Sequence, residues 1–470
     1  MSTPMTEHVE LRHGAYADSV TLLQVSRTVQ DEAGVVAAQV AMATPLNLEV
    51  LAGMGFTVPA AAPDDLVVAL RLDESAELDS VLAAVDAALS RSTAPSGGTT
   101  EHAPPRTTAT ALRLAPQALV LVSVPGAHAL VEAVDALDAG SDVMVFSDNV
   151  PLAQEVALKR MASERHLLVM GPDCGTAVVG GLGLGFANVT SPGPVGIVAA
   201  SGTGCQQLLA LLDHAGVGVS SALGVGGRDL SAEVRGLSTR TALTRLDADP
   251  GVELIVLVSK PPASDVAAEI EEYADSLATP VELALLGPGQ PDLTAAAESV
   301  LRRLDRDVPA WPVTGSADAP LLPDGSILRG LFVGGTLCEE SRLIAGELLG
   351  ADRVDLVDFG ADELTGGRAH PMIDPTLRLE QLSRAAADVR TGVVLLDVVL
   401  GHGAEPDPSA LLAPAVTAAE RPVVVSVVGT AHDPQDLDRQ VRILAEAGAE
   451  VHLSNATATR RAVELLGGGR

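Results

Sequence analysis

One module recurs along this chain: an apolar run of strand length, a turn bearing Gly or Pro, then a stretch of helical periodicity. It reads "ALVLVSVPG" from Ala118, "VGIVAASGTG" from Val195 and "ELIVLVSKPP" from Glu253. It returns as "RGLFVGGTLCEE" from Arg329, "GVVLLDVVLGHG" from Gly392 and "PVVVSVVGTAHD" from Pro422. Strands alternating with helices predict parallel α/β sheets. Right-handed crossovers put such turns at the carboxyl ends of the strands, where these sheets bind ligands. Only 2% of residues are aromatic, so the core must be Val, Leu, Ile and Ala.

Two stretches interrupt the pattern. Residues 91–109 are rich in Ser, Thr, Pro and Gly, and predict a linker over 91–115. Residues 306–324 are Pro-rich and predict a second, over 306–325. They set off a small N-terminal α/β domain (1–90), a middle region and a C-terminal domain (326–470). The N-terminal piece reads strand 8–13, helix 18–31, strand 34–42, helix 46–54, strand 64–71, helix 76–89. It has no dinucleotide-binding fingerprint.

The formal net charge is −31, which argues against nucleic acid and anionic membranes as partners, since both need a basic face. The only lysines are Lys159 and Lys260, and no P-loop sequence is present. Three cysteines without a pairing pattern, Cys174, Cys205 and Cys338, read as reduced. The first residues lack the basic and apolar regions of a secretory leader, and no apolar run is long enough to span a membrane. The expected location is the cytoplasm. The ten histidines show no metal-ligand spacing, so no metal-site residues are assigned and metal dependence stays open.

Four turns are candidates for chemistry. Ser201-Gly202-Thr203-Gly204 starts a helix, whose unpaired N–H groups and partial positive charge suit an anion. Gly401-His402-Gly403 is a second Gly-bearing turn at a strand end. Gly171-Pro172-Asp173-Cys174-Gly175 ends a strand, enters a Gly-rich loop and is a candidate wall for a carbonyl or carboxylate. Gly366 and Gly367 precede Arg368 and His370, and an Arg there could clamp a carboxylate or phosphate in a bidentate fork.

From Ala118 to about Pro291 the chain resembles the α subunit of succinyl-CoA synthetase. "ALVLVSVPGAHALVEAVDALDAGSDVMVFSDNVPLAQ" is similar to the second half of its CoA-binding domain, and "MGPDCG", "GPVGIVAASGTG" and "SALGVGGRDL" to later elements. From about Gly366 to Leu466 it resembles the C-terminal domain of the enzyme's β subunit, with "VVLLDVVLGHGAEPD" standing where that domain has a Phe-Gly-Gly helix start. With "YADSVTLLQVSRTV", "AAQVAMATPLNLEVL" and "GGRAHPMIDP", the whole chain resembles FdrA-type proteins of the acyl-CoA synthetase superfamily. The resemblance implies several Rossmann- or flavodoxin-like parallel-sheet domains beside the small N-terminal domain. It divides the middle into a CoA-binding-like half (116–190) and a ligase-like domain (191–305).

In that family two helix starts face each other and hold the phosphate of a phosphohistidine or acyl phosphate. Here this pairs Ser201–Gly204 with Gly401–Gly403. The matching phosphohistidine region, "VELALLGPGQPDLTAAAES", has no His, and no ATP-grasp part matches. The resemblance therefore implies a subunit that acts on an already phosphorylated small molecule, with partner subunits and an oligomeric assembly. The expected reaction is carbamoyl or acyl transfer of the oxamate carbamoyltransferase type, from carbamoyl phosphate, in ureide nitrogen catabolism. The alternatives are an acyl-CoA synthetase subunit whose nucleotide and histidine parts lie on another chain, or a non-catalytic scaffold. CoA is a possible ligand. In these expectations Arg368 orients the acceptor, and His402 or His370 takes up a proton.

Overall fold

A computed structural model describes residues 6–15, 17, 19–30, 32–73, 75–93, 105–317, 325–365 and 369–467. The chain divides into two compact units, Met1–Pro104 and Pro105–Arg470.

The first unit runs β1 (Thr6–Arg12), α1 (Ser19–Gln30), β2 (Val35–Met42), α2 (Pro45–Gly53), β3 (Leu66–Leu72) and α3 (Leu78–Thr93). Its sheet has the order β1-β3-β2 and is antiparallel throughout. Alternation along β3 explains its two cores. Leu66, Val68, Leu70 and Leu72 face α1 and α3, while Val67 and Ala69 pack with Leu51 and Phe56 on the other side.

The second unit begins with α4 (Thr108–Leu114), β4 (Val120–Val122), α5 (Gly126–Asp138), β5 (Val143–Val145), α6 (Leu152–Glu164) and β6 (Val169–Met170). Strands β4, β5 and β6 form a parallel three-stranded sheet. Helix α4 lies inside the stretch expected to be linker. Thr107 caps it by accepting the Thr110 N–H at 3.1 Å, and Leu112 is buried in the β4–β6 core.

Next come β7 (Thr176–Val179), β8 (Leu182–Gly185), β9 (Val195–Ala200), α7 (Gly202–His214), β10 (Val219–Gly224), α8 (Leu237–Asp247), β11 (Leu254–Ser259), α9 (Ser264–Asp275), β12 (Val281–Leu285) and α10 (Leu293–Arg303). The expected Gly-rich loop after Gly175 is a hairpin. Gly180 and Gly181, both at positive φ, make the two-residue turn between β7 and β8. The six-stranded sheet has the order β12-β11-β9-β10-β7-β8, parallel from β12 to β10.

The remaining elements are β13 (Val313–Thr314), β14 (Ile327–Phe332), α11 (Gly335–Leu349), β15 (Val354–Asp358), α12 (Asp362–Thr365), α13 (Thr376–Ala387), β16 (Thr391–Val399), α14 (Pro408–Thr417), β17 (Val423–Val428), α15 (Leu437–Glu446), β18 (Glu450–His452) and α16 (Asn455–Leu465). Their sheet runs β13-β18-β17-β16-β14-β15. Strands β14–β18 are parallel in the flavodoxin-like 2-1-3-4-5 order. The second predicted linker is partly built into this sheet: β13 pairs antiparallel with β18, and the Ala317 N–H donates to Glu450 at 2.8 Å. Proline is tolerated at such an edge.

The two six-stranded sheets share one core. Leu208 and Leu211 of α7, Val300 of α10, Leu337 of α11 and Ala458 of α16 fill it between Ile197 and Val256 on one side and Leu395 and Val424 on the other. Helix α7 therefore packs directly against the second sheet's helices.

Candidate functional site

Strand β9 ends at Ala200, and Ser201, in extended backbone, caps α7 by accepting the Gly204 N–H at 3.0 Å. This leaves the first N–H groups of α7 directed out of the helix, at its positive end. The start of α11 meets them. Ser201 Oγ lies 2.6 Å from Thr336 Oγ1, and both residues are buried. A Cβ on Gly334 would stand 3.0 Å from Thr203 Cβ, and one on Gly204 would stand 3.1 Å from Thr336 Cγ2. Glycine at these two positions lets the helix starts touch.

Asp397, on β16, fixes the turn that leads into α11. Its Oδ1 accepts the Val333 N–H and its Oδ2 the Gly334 N–H, each at 2.8 Å. Arg378 Nη1 donates to the Asp397 carboxylate at 2.9 Å and to its carbonyl at 2.6 Å. Burial pushes the Asp397 carboxyl up to about 6, and Arg378 and the two N–H groups pull against this, so it is mainly ionised at neutral pH.

Asp358 borders the start of α11, and His370 borders Gly360 after β15. A Cβ on Gly335 would lie 2.5 Å from Asp358 Oδ2, and one on Gly360 would lie 2.7 Å from His370 Nε2. Burial raises the Asp358 pKa, opposed by Lys260 and by the Gly360 N–H, which donates to Oδ1 at 2.9 Å. Burial alone lowers His370 to about 4, so its ring is neutral. Nδ1 accepts the Met372 N–H at 3.2 Å, which leaves the ring proton on Nε2. His370 thus presents a donor at Nε2 rather than the lone pair a proton acceptor needs.

This neutral His stabilises the fold above pH 6.5, its value in the unfolded chain, and that contribution is lost as pH falls towards 4. His370→Gln is expected to flatten the stability curve over this window by about 2 kcal/mol, less than the full shift because the residue is not fully buried. Urea midpoints measured from pH 7 to 4 check it; parallel curves for variant and parent would refute it.

Several predicted roles change. Gly401–Gly403 is not a helix start, since α14 begins only at Pro408. The turn packs on the segment after β8: the His402 N–H donates to Ala187 O at 2.9 Å, and a Cβ on Gly403 would meet the Phe186 ring at 3.2 Å. The His402 side chain is exposed. The Phe186 ring in turn lies 5.8 Å from the His370 ring.

In 171–175, Gly171, Asp173 and Cys174 donate their N–H groups to Gly224 O, Ser147 O and Val145 O, and Pro172 has none. These four residues therefore cannot line a carbonyl with backbone donors. The Cys174 thiol is buried, pushed up to about 12, and packed where a Cβ on Gly224 would be. Gly366, Gly367 and Arg368 lie outside the described residues.

Sequence reasoning misses Asp397, Asp358 and the Gly334-Gly335-Thr336 start, although each carries a signal. Asp397 interrupts an otherwise apolar strand, Asp358 ends the strand "VDLVD" just before Phe359-Gly360, and "VGGTLCEE" repeats the strand-to-helix pattern of "ASGTGCQQ".

The chain is 35% identical to "Uncharacterized protein YahF" of Escherichia coli (strain K12), across 98% of this chain and 99% of that one. It belongs to the YahF family. This FdrA-like family is part of the succinyl-CoA synthetase superfamily. A CoA-ligase family model matches residues 331–465 of the chain. The α subunit of succinate–CoA ligase [ADP-forming] from Methanothermobacter thermautotrophicus is 28% identical over 36% of this chain, which spans 58% of that protein. A solved dinucleotide-forming acetyl-coenzyme A synthetase from Ca. Korarchaeum cryptofilum matches at 16% identity and a TM-score of 0.30, over 74% of this chain and 82% of that one, too distant to bear on function.

Residues 5–105 match the heavy metal-associated domain of AllF. That stretch contains no cysteine, the soft ligand heavy metals favour. Its His13 Nδ1 lies 2.6 Å from Asp65, and His8 lies 3.4 Å from Glu10. These residues do not fit a heavy-metal site. Among the described residues, no helix is long and apolar enough to cross a membrane.

Proposed function

We propose that this chain is the acyl-phosphate-handling subunit of an acyl-CoA synthetase-type enzyme. The phosphoryl group sits over the joined N-termini of α7 and α11. The observation that carries this reading is the contact of two helix starts from two different sheets, through Ser201 and Thr336 at 2.6 Å. Two positive helix ends and their free N–H groups attract a dianionic group and the charge it gains as it leaves.

In the reaction, the CoA thiol sulfur bonds to the acyl carbon. The bond from that carbon to the phosphate oxygen breaks, phosphate leaves with that electron pair, and the thiol proton passes to solvent. The chain's contribution is to bind the phosphate and orient the acyl group.

A second reading rests on one observation. The loop from β12 to α10 carries Gly287-Pro288-Gly289-Gln290 and no His to carry a phosphoryl group. This favours a substrate that arrives phosphorylated, such as carbamoyl phosphate, with oxamate as acceptor. Partner subunits would supply what the chain lacks.

The test is phosphate release from acetyl phosphate with CoA, and from carbamoyl phosphate with oxamate, using the chain with its co-purified partners. Acceptor-dependent release in either arm supports the reading and selects the acceptor. No release in both arms overturns it. Gly335→Val would drive its Cβ against Asp358 Oδ2 and Lys260 Nζ over the first turn of α11. It is expected to lower turnover about 100-fold, the scale for losing one positioned donor, with the far-ultraviolet circular dichroism unchanged.

A further inference from the structure

The two lysines have opposite surroundings. Lys159 is fully buried, and its ammonium donates to Glu155, Asp229 and the Val225 carbonyl at 2.7–2.9 Å. Lys260 is exposed, and among the described residues its ammonium has no hydrogen bond and no ion pair within 4.0 Å. What sets Lys260 apart from other exposed cations of the chain is its position.

That position follows from the topology. In the order β10-β9-β11-β12 the winding reverses between β9 and β11, and at such a switch point the loops part to leave a crevice. Ser259 pairs in register with Ala200, so Lys260 and Ser201 leave the sheet side by side. In the second sheet the same reversal falls between β14 and β16, where Gly334 and Asp397 meet. The switch points of both sheets thus open on one place. Lys260 reaches across it: a Cβ on Gly335 would stand 2.8 Å from Lys260 Nζ and 2.5 Å from Asp358 Oδ2.

We propose that Lys260 is the cation that binds the substrate's phosphoryl oxygens, beside Asp358 at the start of α11. This rests on the phosphoryl-binding reading above. Asp358 draws the ammonium towards Gly335 without forming a close pair, so Lys260 stays available to an incoming anion. His370 Nε2–H, near Gly360 on the far side of Asp358, adds a neutral donor to the rim. Among the described residues no acceptor lies within hydrogen-bond distance of its ammonium. Lys260 therefore acts as a charge and hydrogen-bond donor.

The test is calorimetric binding of inorganic phosphate and of acetyl phosphate to the full chain, its K260M and K260R variants, each at two salt concentrations. K260M is expected to bind both anions about 10- to 100-fold more weakly, the range for losing a charge-assisted hydrogen bond. It should also lose most of the salt dependence, while K260R restores most of both. Lys260 is exposed, so the melting temperature should be unchanged. Parent-like binding by K260M, with the parent binding normally, overturns the role of Lys260 and leaves the phosphoryl reading standing. Failure of the parent itself to bind either anion overturns both.

Discussion

Replacing Asp397 by alanine is expected to destabilise the Pro105–Arg470 unit by about 3–5 kcal/mol, the cost of stripping one partner from a buried ion pair. The Arg378 side chain is 3% exposed and that of Asp397 0%, so water cannot take the place of the lost carboxylate. The Val333 and Gly334 N–H groups lose their acceptor at the same time. A shorter plateau and lower midpoint in urea unfolding would show the loss. The double variant D397L/R378M removes both charges together and is expected to recover most of the stability, because two well-packed apolar residues leave no orphan charge. It should not recover phosphate binding, since nothing then holds the β14–α11 turn. If D397A unfolds like the parent, the pair is not what fixes that turn.

The second large effect is expected from Lys159→Met. The ammonium joins Glu155 on its own helix to Asp229 and Val225 of the next domain, and all three of its protons are engaged. Asp229 also accepts the Ser238 and Thr239 N–H groups and the Thr239 hydroxyl, so it cannot swing out to water. Without the lysine, two buried carboxylates face each other, with only Arg228 left near Glu155, at 2.9 Å. The expected loss is again about 3–5 kcal/mol, with early protease sensitivity in the β4–β6 sheet. Adding Asp229→Asn to Lys159→Met should return part of it. Unchanged stability and protease resistance in the single variant would show that apolar packing alone joins these two sheets.

Much of the architecture was legible in local pattern. The runs at Val195, Glu253 and Gly392 became buried central strands, because a strand covered on both faces needs an unbroken apolar sequence. The Ser201 cap was legible for the same kind of reason: Ser and the glycines around it determine the turn with no help from distant residues. Where local pattern misled, a distant partner decided. Residues 107–114 look like linker by composition, yet Leu112 finds a core to enter. The hairpin at Gly180 and Gly181 reads as loop until β7 pairs with β10.

The strand–turn–helix modules, the family and the Ser201 helix start are written in the order of residues, because they depend on neighbours within a turn or two of each other. Which turn meets that start is not. Gly401–Gly403 and Gly334–Thr336 both follow apolar strands and both offer glycine, and although the second repeats the Ser201 pattern, local sequence does not say which of them lies beside it. Only the shared core between the two large sheets, which seats α7 against α11, brings Thr336 to Ser201 across 135 residues and leaves Gly401 against Ala187. The same packing brings Lys260, one more charge after a strand in the sequence, to the start of α11 beside Gly335. Which helix starts converge is a property of how sheets stack, and stacking is set by the summed burial of side chains far apart in the chain.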